Sequence, residues 1–268
     1  MRRVLSLSVI IIAKNEAANI SRCLESVKWA DEIIVLDSGS IDETIALAKQ
    51  YTPHVFSTDW QGYGVQKQRA LAKATCDWVL NLDADEYVSD DLKQSLLDAM
   101  QSNTADAYKI PIQLNFYGQT LKYASSPSRH IRLFKREGAV YSDDIVHEKV
   151  LVPPSFRVQQ LTFPILHHSF QDLTHALEKL NRYSSYSAKI RLHDKKHAHI
   201  GNAIFGFMWM FFRCYVLQRG FLDGKMGFLL SFYAAEGSFY RAMKQIYPDV
   251  SMDNLPKVGN GYDPHETA

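Results

Sequence analysis

At 268 residues, nearly half of them hydrophobic, the chain can bury a sizeable core as one large domain or as a domain with an appendage. A formal net charge of +1 argues against a general nucleic-acid binder, which carries a strong basic excess. Three widely separated cysteines, Cys23, Cys76 and Cys214, argue against a disulfide framework or zinc knuckle and fit a reducing compartment.

The N-terminus places two arginines before an apolar run, superficially like a signal peptide, but the run is β-branched and lacks a small-residue cleavage site. It is read as the first core strand, Leu5–Ile12, a continuous apolar run suited to burial on both faces. Asn15 is placed to cap a helix whose inward face is Ile20, Leu24 and Val27. Glu32–Leu36 is the second strand, ending at Asp37-Ser38-Gly39-Ser40, and Ser40-Ile41-Asp42-Glu43 reads as a capping box opening a helix to about Gln50. A short strand at His54–Ser57, a helix at Val65–Ala74 and a strand ending at Asp83 follow. Strand and helix alternating in this way imply a doubly wound, mostly parallel sheet with right-handed crossovers. Beyond residue 104 the pattern changes to strands at Ala107–Phe116, Ile131–Lys135 and Val146–Val152, which suit mixed or antiparallel additions at a sheet edge. From Leu173 the chain reads as helices, Leu173–Arg191, Ile200–Gln218 and Met226–Ile246, before a tail rich in Gly, Pro, Asn and Asp.

The stretch that carries chemistry is Trp78–Glu86. An apolar run delivers Asp83-Ala84-Asp85-Glu86 to a strand's C-terminal end, where open α/β sheets bind ligands. Asp-x-Asp there can hold a divalent cation through one carboxylate and leave room for phosphate oxygens. A strand followed by an acidic helix-capping turn explains the same letters. Two more polar strand ends, Lys14-Asn15-Glu16 and Asp37-Ser38-Gly39-Ser40, open on the same sheet edge, and three together are harder to attribute to capping than one. Asp37 can accept from a nucleobase or ribose where the glycine turn admits close backbone approach. Neither GxGxxG after the first strand nor GxxxxGK[ST] is present, so dinucleotide and P-loop fingerprints are absent.

The segments VIIIAKNEAANI, DEIIVLDSGSIDET and GYGVQKQRALAKATCDWVLNLDADE, followed by RLFKR, VHEKV and RGFLDGKMGF, resemble glycosyltransferase family 2. Their wording is similar to the bacterial lipopolysaccharide-core β-1,4-glucosyltransferase branch. The resemblance implies an α/β fold of the GT-A, Rossmann-like kind, a mixed, mainly parallel sheet with a C-terminal helical extension. It implies domains at 1–165 for nucleotide sugar and acceptor, 166–250 for the helical extension, and a flexible tail at 251–268. It further implies nucleotide-sugar contacts from Ala13, Asn15, Glu16, Asp37 and Ser38, with Asp37 on the uridine and Asp83 on the ribose or sugar. Asp85 would hold Mg2+ or Mn2+ bridging two phosphates. Lys67 and Arg69 are placed to supply positive charge to the leaving diphosphate, although solvated helix residues look the same in sequence. One departure is Ala13-Lys14-Asn15-Glu16 in place of the family's common Pro-Thr/Ala-Tyr-Asn-Glu, which leaves the role of Lys14 open.

An inverting transfer needs a base for the acceptor hydroxyl. Glu148 in Val146-His147-Glu148 is the leading candidate, with Asp143 and Asp144 as competitors. The His167-His168 pair could approach the metal or the diphosphate, or serve structurally. The implied partners are a nucleotide-diphosphate sugar donor, UDP-glucose foremost, and a lipid-linked glycan acceptor. The rival readings are transfer to a polyprenyl phosphate, a nucleotidyltransferase, and a non-catalytic scaffold. Cations between Lys179 and Lys225 flank the run Ala203–Phe212, rich in Phe, Met and Trp, a composition that suits an anionic membrane plane, core packing or a dimer contact. No stretch reaches about 18–20 uninterrupted apolar residues. The expected location is cytoplasmic, peripheral on the inner membrane's cytoplasmic face.

Overall fold

The computed structural model describes residues 5–116, 119–123, 128–142, 149–168, 172–194 and 198–248. These fall into two compact units, one holding residues 5–112 and 128–167, the other 113–123 and 168–248. The expected tail at 251–268 and the Asp143, Asp144 and Glu148 candidates lie outside the described residues.

In the first unit, β1 (Leu7–Ala13), β2 (Glu32–Asp37), β3 (Val55–Ser57) and β4 (Trp78–Asp83) are parallel in the order β3-β2-β1-β4. The helices α1 (Ile20–Val27), α2 (Thr44–Ala48) and α3 (Tyr63–Leu71) join them, as the alternating pattern requires. The strands are apolar on both sides because each feeds two cores. Val9, Ile11, Val35, Leu80 and Leu82 enter one, Ile10, Ile12, Ile34, Leu36 and Val79 the other. On α1, Ile20, Cys23, Leu24 and Val27 are buried at helical spacing. The helix begins five residues beyond Asn15, which instead adopts a left-handed conformation at φ 53°.

The Ser40–Glu43 capping box does not form. Ser40 Oγ bonds Asp37 and accepts the Asn15 N–H at 2.9 Å, while Asp42 accepts the Thr44 N–H at 3.0 Å in the turn before the helix. A β5 pair (Glu86–Tyr87) precedes α4 (Asp90–Ser102), a helix that the sequence reading treated only as an alternative to a metal motif. Ser89 Oγ accepts the Leu92 N–H at 3.3 Å, and Asp90 and Asp91 occupy the favourable first turn.

Beyond β4 the sheet continues with β6 (Ala107–Phe116) and β8 (Ser128–Lys135), both antiparallel to their neighbours, in the order β4-β8-β6. The sheet is therefore mixed, with a parallel N-terminal half, as expected. β7 (Gln119–Thr120) pairs with the far end of β6. β9 (Val140–Tyr141) pairs with β10 (Val150–Leu151), β11 (Val158–Gln160) with β6, and β12 (Ile165–His167) with β5. The pairing of β6 and β8 slips between Tyr108, opposite Leu133, and Lys109, opposite Ile131. Arg132 is the extra residue of a β-bulge, a device that re-aims a side chain.

The second unit contains α5 (Leu173–His193), α6 (Ile200–Phe212) continuing through a π-helical turn Arg213–Leu217, a 3-10 turn Gly220–Asp223, and α7 (Gly224–Ile246). The RGFLDGKMGF motif builds its corner. The buried Asp223 carboxylate accepts the backbone N–H groups of Lys122 and Tyr123 at 3.0 and 2.8 Å, and Gly224 sits at φ +62°. At Gly227 a Cβ would lie 1.9 Å from the Gly220 carbonyl oxygen, so only glycine allows the 3-10 turn to pack on α7. Ile200–Leu217 is long and apolar enough to cross a membrane by length and composition, with mean hydropathy 1.4, although Asn202 and Arg213 interrupt it. Only 11% of it is buried.

Candidate active site

The parallel strand order reverses direction of travel at β1, between β2 and β4, so the C-terminal ends of β1, β2 and β4 border the crevice where open α/β sheets hold ligands. The turns after β1 and β2 are stitched together. Asn15 Oδ1 accepts the Ile41 N–H at 2.9 Å, Glu16 N–H donates to Thr44 Oγ1 at 2.8 Å, and Ser38 N–H donates to the Ala13 carbonyl at 2.9 Å. Asp37 is fully buried, and its Oδ2 accepts the N–H groups of Gly39 and Ser40 at 2.8 and 2.9 Å. Gln66, also fully buried, donates to Ser38 Oγ at 2.9 Å and the Asp59 carbonyl at 2.7 Å, tying α3 to the same turn.

At the end of β4 the carboxylates meet their counter-charges. Lys67 Nζ lies 3.0 Å from one oxygen of Asp83, and the Arg132 guanidinium 3.0 Å from the other. Arg132 also reaches Glu86 Oε1 at 2.9 Å, while Glu86 Oε2 accepts the Asp83 N–H at 2.9 Å. Burial would raise the Asp83 carboxyl, but Lys67 and Arg132 outweigh it and hold it well below the usual range. Burial dominates at Glu86, and with Asp83 adding repulsion its pKa is pushed up to about 7 despite Arg132. Burial would also weaken the Arg132 charge, yet Glu86 and Asp83 keep it firmly protonated.

Asp85 pairs with a histidine. Its Oδ2 lies 2.8 Å from His167 Nε2, which the β12–β5 register places opposite Glu86. Burial lowers the His167 pKa, but Asp85 first, then Glu86 and Asp83, raise it overall. Among the described residues no group of three or more His, Cys, Asp or Glu side chains gathers at metal-binding distance. The Asp85 carboxylate, oriented by His167, is nevertheless a fitting oxygen donor for a hard divalent cation that takes its remaining ligands from substrate phosphates and water. Asp83 does not fit that role, because both its oxygens already carry a cation.

The cluster of Asp83 and Glu86, with His167, borders a cleft of about 650 Å3, within the range of small-ligand pockets. Asp83, Glu86, Lys67, Arg132 and His167 line one part, and Lys109, Arg129 and Lys149 another.

Residues 8–158 match the model of Glycosyl transferase family 2. The chain belongs to glycosyl transferase family 2. This family 2 chain is 30% identical over 263 residues to the lipopolysaccharide core biosynthesis glycosyltransferase LpsC of Rhizobium meliloti, covering 95% of this chain and 96% of that one. It is 31% identical over 250 residues to an uncharacterized glycosyltransferase of Rickettsia felis, covering 89% and 88% of the two chains. Among solved structures, Staphylococcus aureus TarS 1-349 in complex with UDP-GlcNAc is similar at 15% identity and TM-score 0.46, over 89% of this chain and 81% of that one. Mycobacterium tuberculosis glucosyl-3-phosphoglycerate synthase in complex with Mg2+ and UDP is similar at 23% identity and TM-score 0.37, over 50% and 57%.

Of the residues singled out in sequence, the glycosyltransferase fold brings Ala13, Asn15, Glu16, Asp37 and Ser38 into one stitched pair of turns, and Lys67, Asp83 and Asp85 to the end of β4. Lys67 is spent on Asp83, and Arg69 pairs with Asp59 at 2.9 Å beside Gln66. Arg132 and Gln66 were missed. A lone arginine inside the apolar run Ile131-Arg132-Leu133-Phe134 was the available signal, since a buried charge implies buried partners. Gln66 offered none, because its place depends on a turn distant in sequence.

Proposed function

We propose that this glycosyltransferase moves a hexose, glucose from UDP-glucose, onto a sugar of a lipopolysaccharide core or related envelope glycan with inversion at the anomeric carbon. The observation that carries the reading is the end of β4, where the Asp85 carboxylate pairs with His167 while Lys67 and Arg132 hold Asp83 and Arg132 holds Glu86. The similarity to LpsC over nearly the whole of both chains supports the acceptor class.

In this reading the turns after β1 and β2 cradle the nucleotide: Ala13, Asn15 and Glu16 on one side, Asp37 and Ser38 on the other. Asp83, fixed by Lys67 and Arg132, meets the ribose or sugar. Asp85, oriented by His167, holds Mg2+ or Mn2+, which when bound stabilises the charge developing on the departing diphosphate. Arg69 lies on the same helix as Lys67 and adds positive potential. The acceptor hydroxyl oxygen attacks the anomeric carbon as the carbon–oxygen bond to the diphosphate breaks. Glu148 takes the hydroxyl proton, and UDP leaves from the opposite face, with no covalent enzyme intermediate.

A lipid-linked acceptor calls for a membrane-facing surface. The second unit exposes Ile204, Phe205, Met208 and Trp209 of α6, with Phe205 70% exposed, and exposed Arg213, Arg219 and Lys225 follow closely in the chain. Large exposed apolar faces of this kind mark interaction sites, and the flanking cations favour an anionic bilayer. We assign the protein to the cytoplasmic face of the inner membrane, held peripherally.

The test is a screen of purified protein against a panel of nucleotide sugars with Mn2+ or Mg2+, with released nucleoside diphosphate as the readout. UDP release from UDP-glucose above the other donors is expected. Release from no donor would overturn the reaction, and release from another donor would overturn the sugar.

A further inference from the structure

Once the pairings at the end of β4 are accounted for, the cleft still contains positive charge that they do not use. Lys109, Arg129 and Lys149 line it with exposed side chains that form no ion pair among the described residues. Their placement follows from register. Pro111 lies opposite Arg129 and shares a face with Lys109 two residues earlier, so Lys109 and Arg129 are diagonal neighbours about 7–8 Å apart on one face of the β6–β8 pair. The bulge at Arg132 brings that residue to the same cleft. Lys149 is fixed by its backbone, which exchanges hydrogen bonds with Ser142, and the β9–β10 pair is tied to α3 where Tyr141 N–H donates to Gln68 Oε1 at 2.8 Å.

Their position in the sheet separates these cations from the nucleotide. The order β3-β2-β1-β4-β8-β6 puts the nucleotide turns on the β1–β2 side of β4 and Lys109 and Arg129 on the β8–β6 side, while Lys149 enters the cleft from the separate β9–β10 pair. With Asp83 and Glu86 already paired to Lys67 and Arg132, no further acidic residue among the described lining residues offsets Lys109, Arg129 and Lys149, which form a basic ledge. We propose that Lys109, Arg129 and Lys149 form a subsite for an anionic substituent, a phosphate or a carboxylate, on the acceptor glycan, a proposal that rests on the transferase reading above. Two amines and a guanidinium converging from three segments recognise charge in a way that tolerates differences in sugar. They set acceptor choice and leave the donor to the other side of β4.

The experiment compares wild type with the triple variant Lys109→Gln/Arg129→Gln/Lys149→Gln. The probes are a deacylated, phosphorylated lipopolysaccharide-core oligosaccharide, its hydrogen-fluoride-dephosphorylated form and its carboxyl-reduced form. Binding of each is measured by calorimetric titration without donor, and transfer from UDP-glucose is measured in parallel. Wild type should bind the fully charged probe about tenfold or more tightly than the form lacking the recognised anion, with affinity falling as salt rises. The weakened form identifies phosphate or carboxylate. The triple variant should lose that preference while binding UDP and Mn2+ as wild type does. Equal binding of all three probes by wild type, a preference surviving in the variant, or an equal loss of UDP affinity would overturn the subsite. Charge-selective binding lost in the variant, with no transfer by either protein, would keep the subsite and sink the transferase reading instead.

Discussion

Arg132 is the residue on which the order of the site depends. It is buried, it is the extra residue of a bulge, and it pairs with two carboxylates, Asp83 at the end of β4 and Glu86 in β5. Removing one partner of a buried ion pair leaves an uncompensated charge, a loss of about 3–5 kcal/mol. Arg132→Met should therefore lower the urea midpoint markedly, and Glu86→Gln added to it should recover part of the loss, because the pair is coupled. A single variant within about 0.5 kcal/mol of wild type would show that the clamp contributes little. At this scale the sequence was half legible. Asp83 and Asp85 announced themselves by position after an apolar strand, yet it did not reveal that one is occupied by cations while the other faces His167. That distinction arises from β8 and β12, about 50 and 80 residues further along the chain.

Among the elements, the junction of β6, β8 and β11 is held by one carboxylate. Asp106 lies 2.6 Å from Lys135 Nζ and 3.2 Å from Arg157 Nε, and it accepts the Arg157 N–H at 3.0 Å. The Lys135 and Arg157 hydrogen bonds hold its pKa well below the ordinary 3.8. A carboxylate depressed in the folded state stabilises it above the unfolded-chain pKa, and that contribution fades as pH falls from about 4 towards the lowered folded value. Asp106→Asn should thus be less stable than wild type at pH 6, and the gap should shrink by pH 2.5. Urea midpoints at both pH values check this, and a gap independent of pH would refute it. The elements themselves were largely legible. β4 and β6 fall where period and composition put them, because buried strands and amphipathic helices advertise their faces. The capping box at Ser40 misled because its serine is drawn into the Asp37 turn, a tertiary contact that outweighs a local signature.

At the scale of the whole molecule, a mixed glycosyltransferase sheet and an apolar helical unit occupy one chain. The sequence shows a switch from alternating to helical periodicity, but nothing local marks residues 113–116 and 119–123 as part of the second unit. The exposed face of α6 leads to a further expectation. Wild type should co-sediment with vesicles containing anionic lipid, less so at high salt, and Phe205→Asp/Trp209→Asp should weaken this about tenfold or more while circular dichroism is unchanged. Failure of wild type to bind anionic vesicles, or undiminished binding by the variant, would remove the membrane from the account.

The central claim is that Asp85, oriented by His167, offers its carboxylate to a cation-bound diphosphate while Asp83 is held by Lys67 and Arg132. Calorimetric titration of UDP into wild type and Asp85→Asn, each with Mn2+ and with EDTA, tests it most directly. The account predicts wild-type binding that requires Mn2+ and is weakened tenfold or more in the variant. UDP binding to wild type that ignores EDTA, or Mn2+-dependent affinity that survives intact in Asp85→Asn, would contradict it.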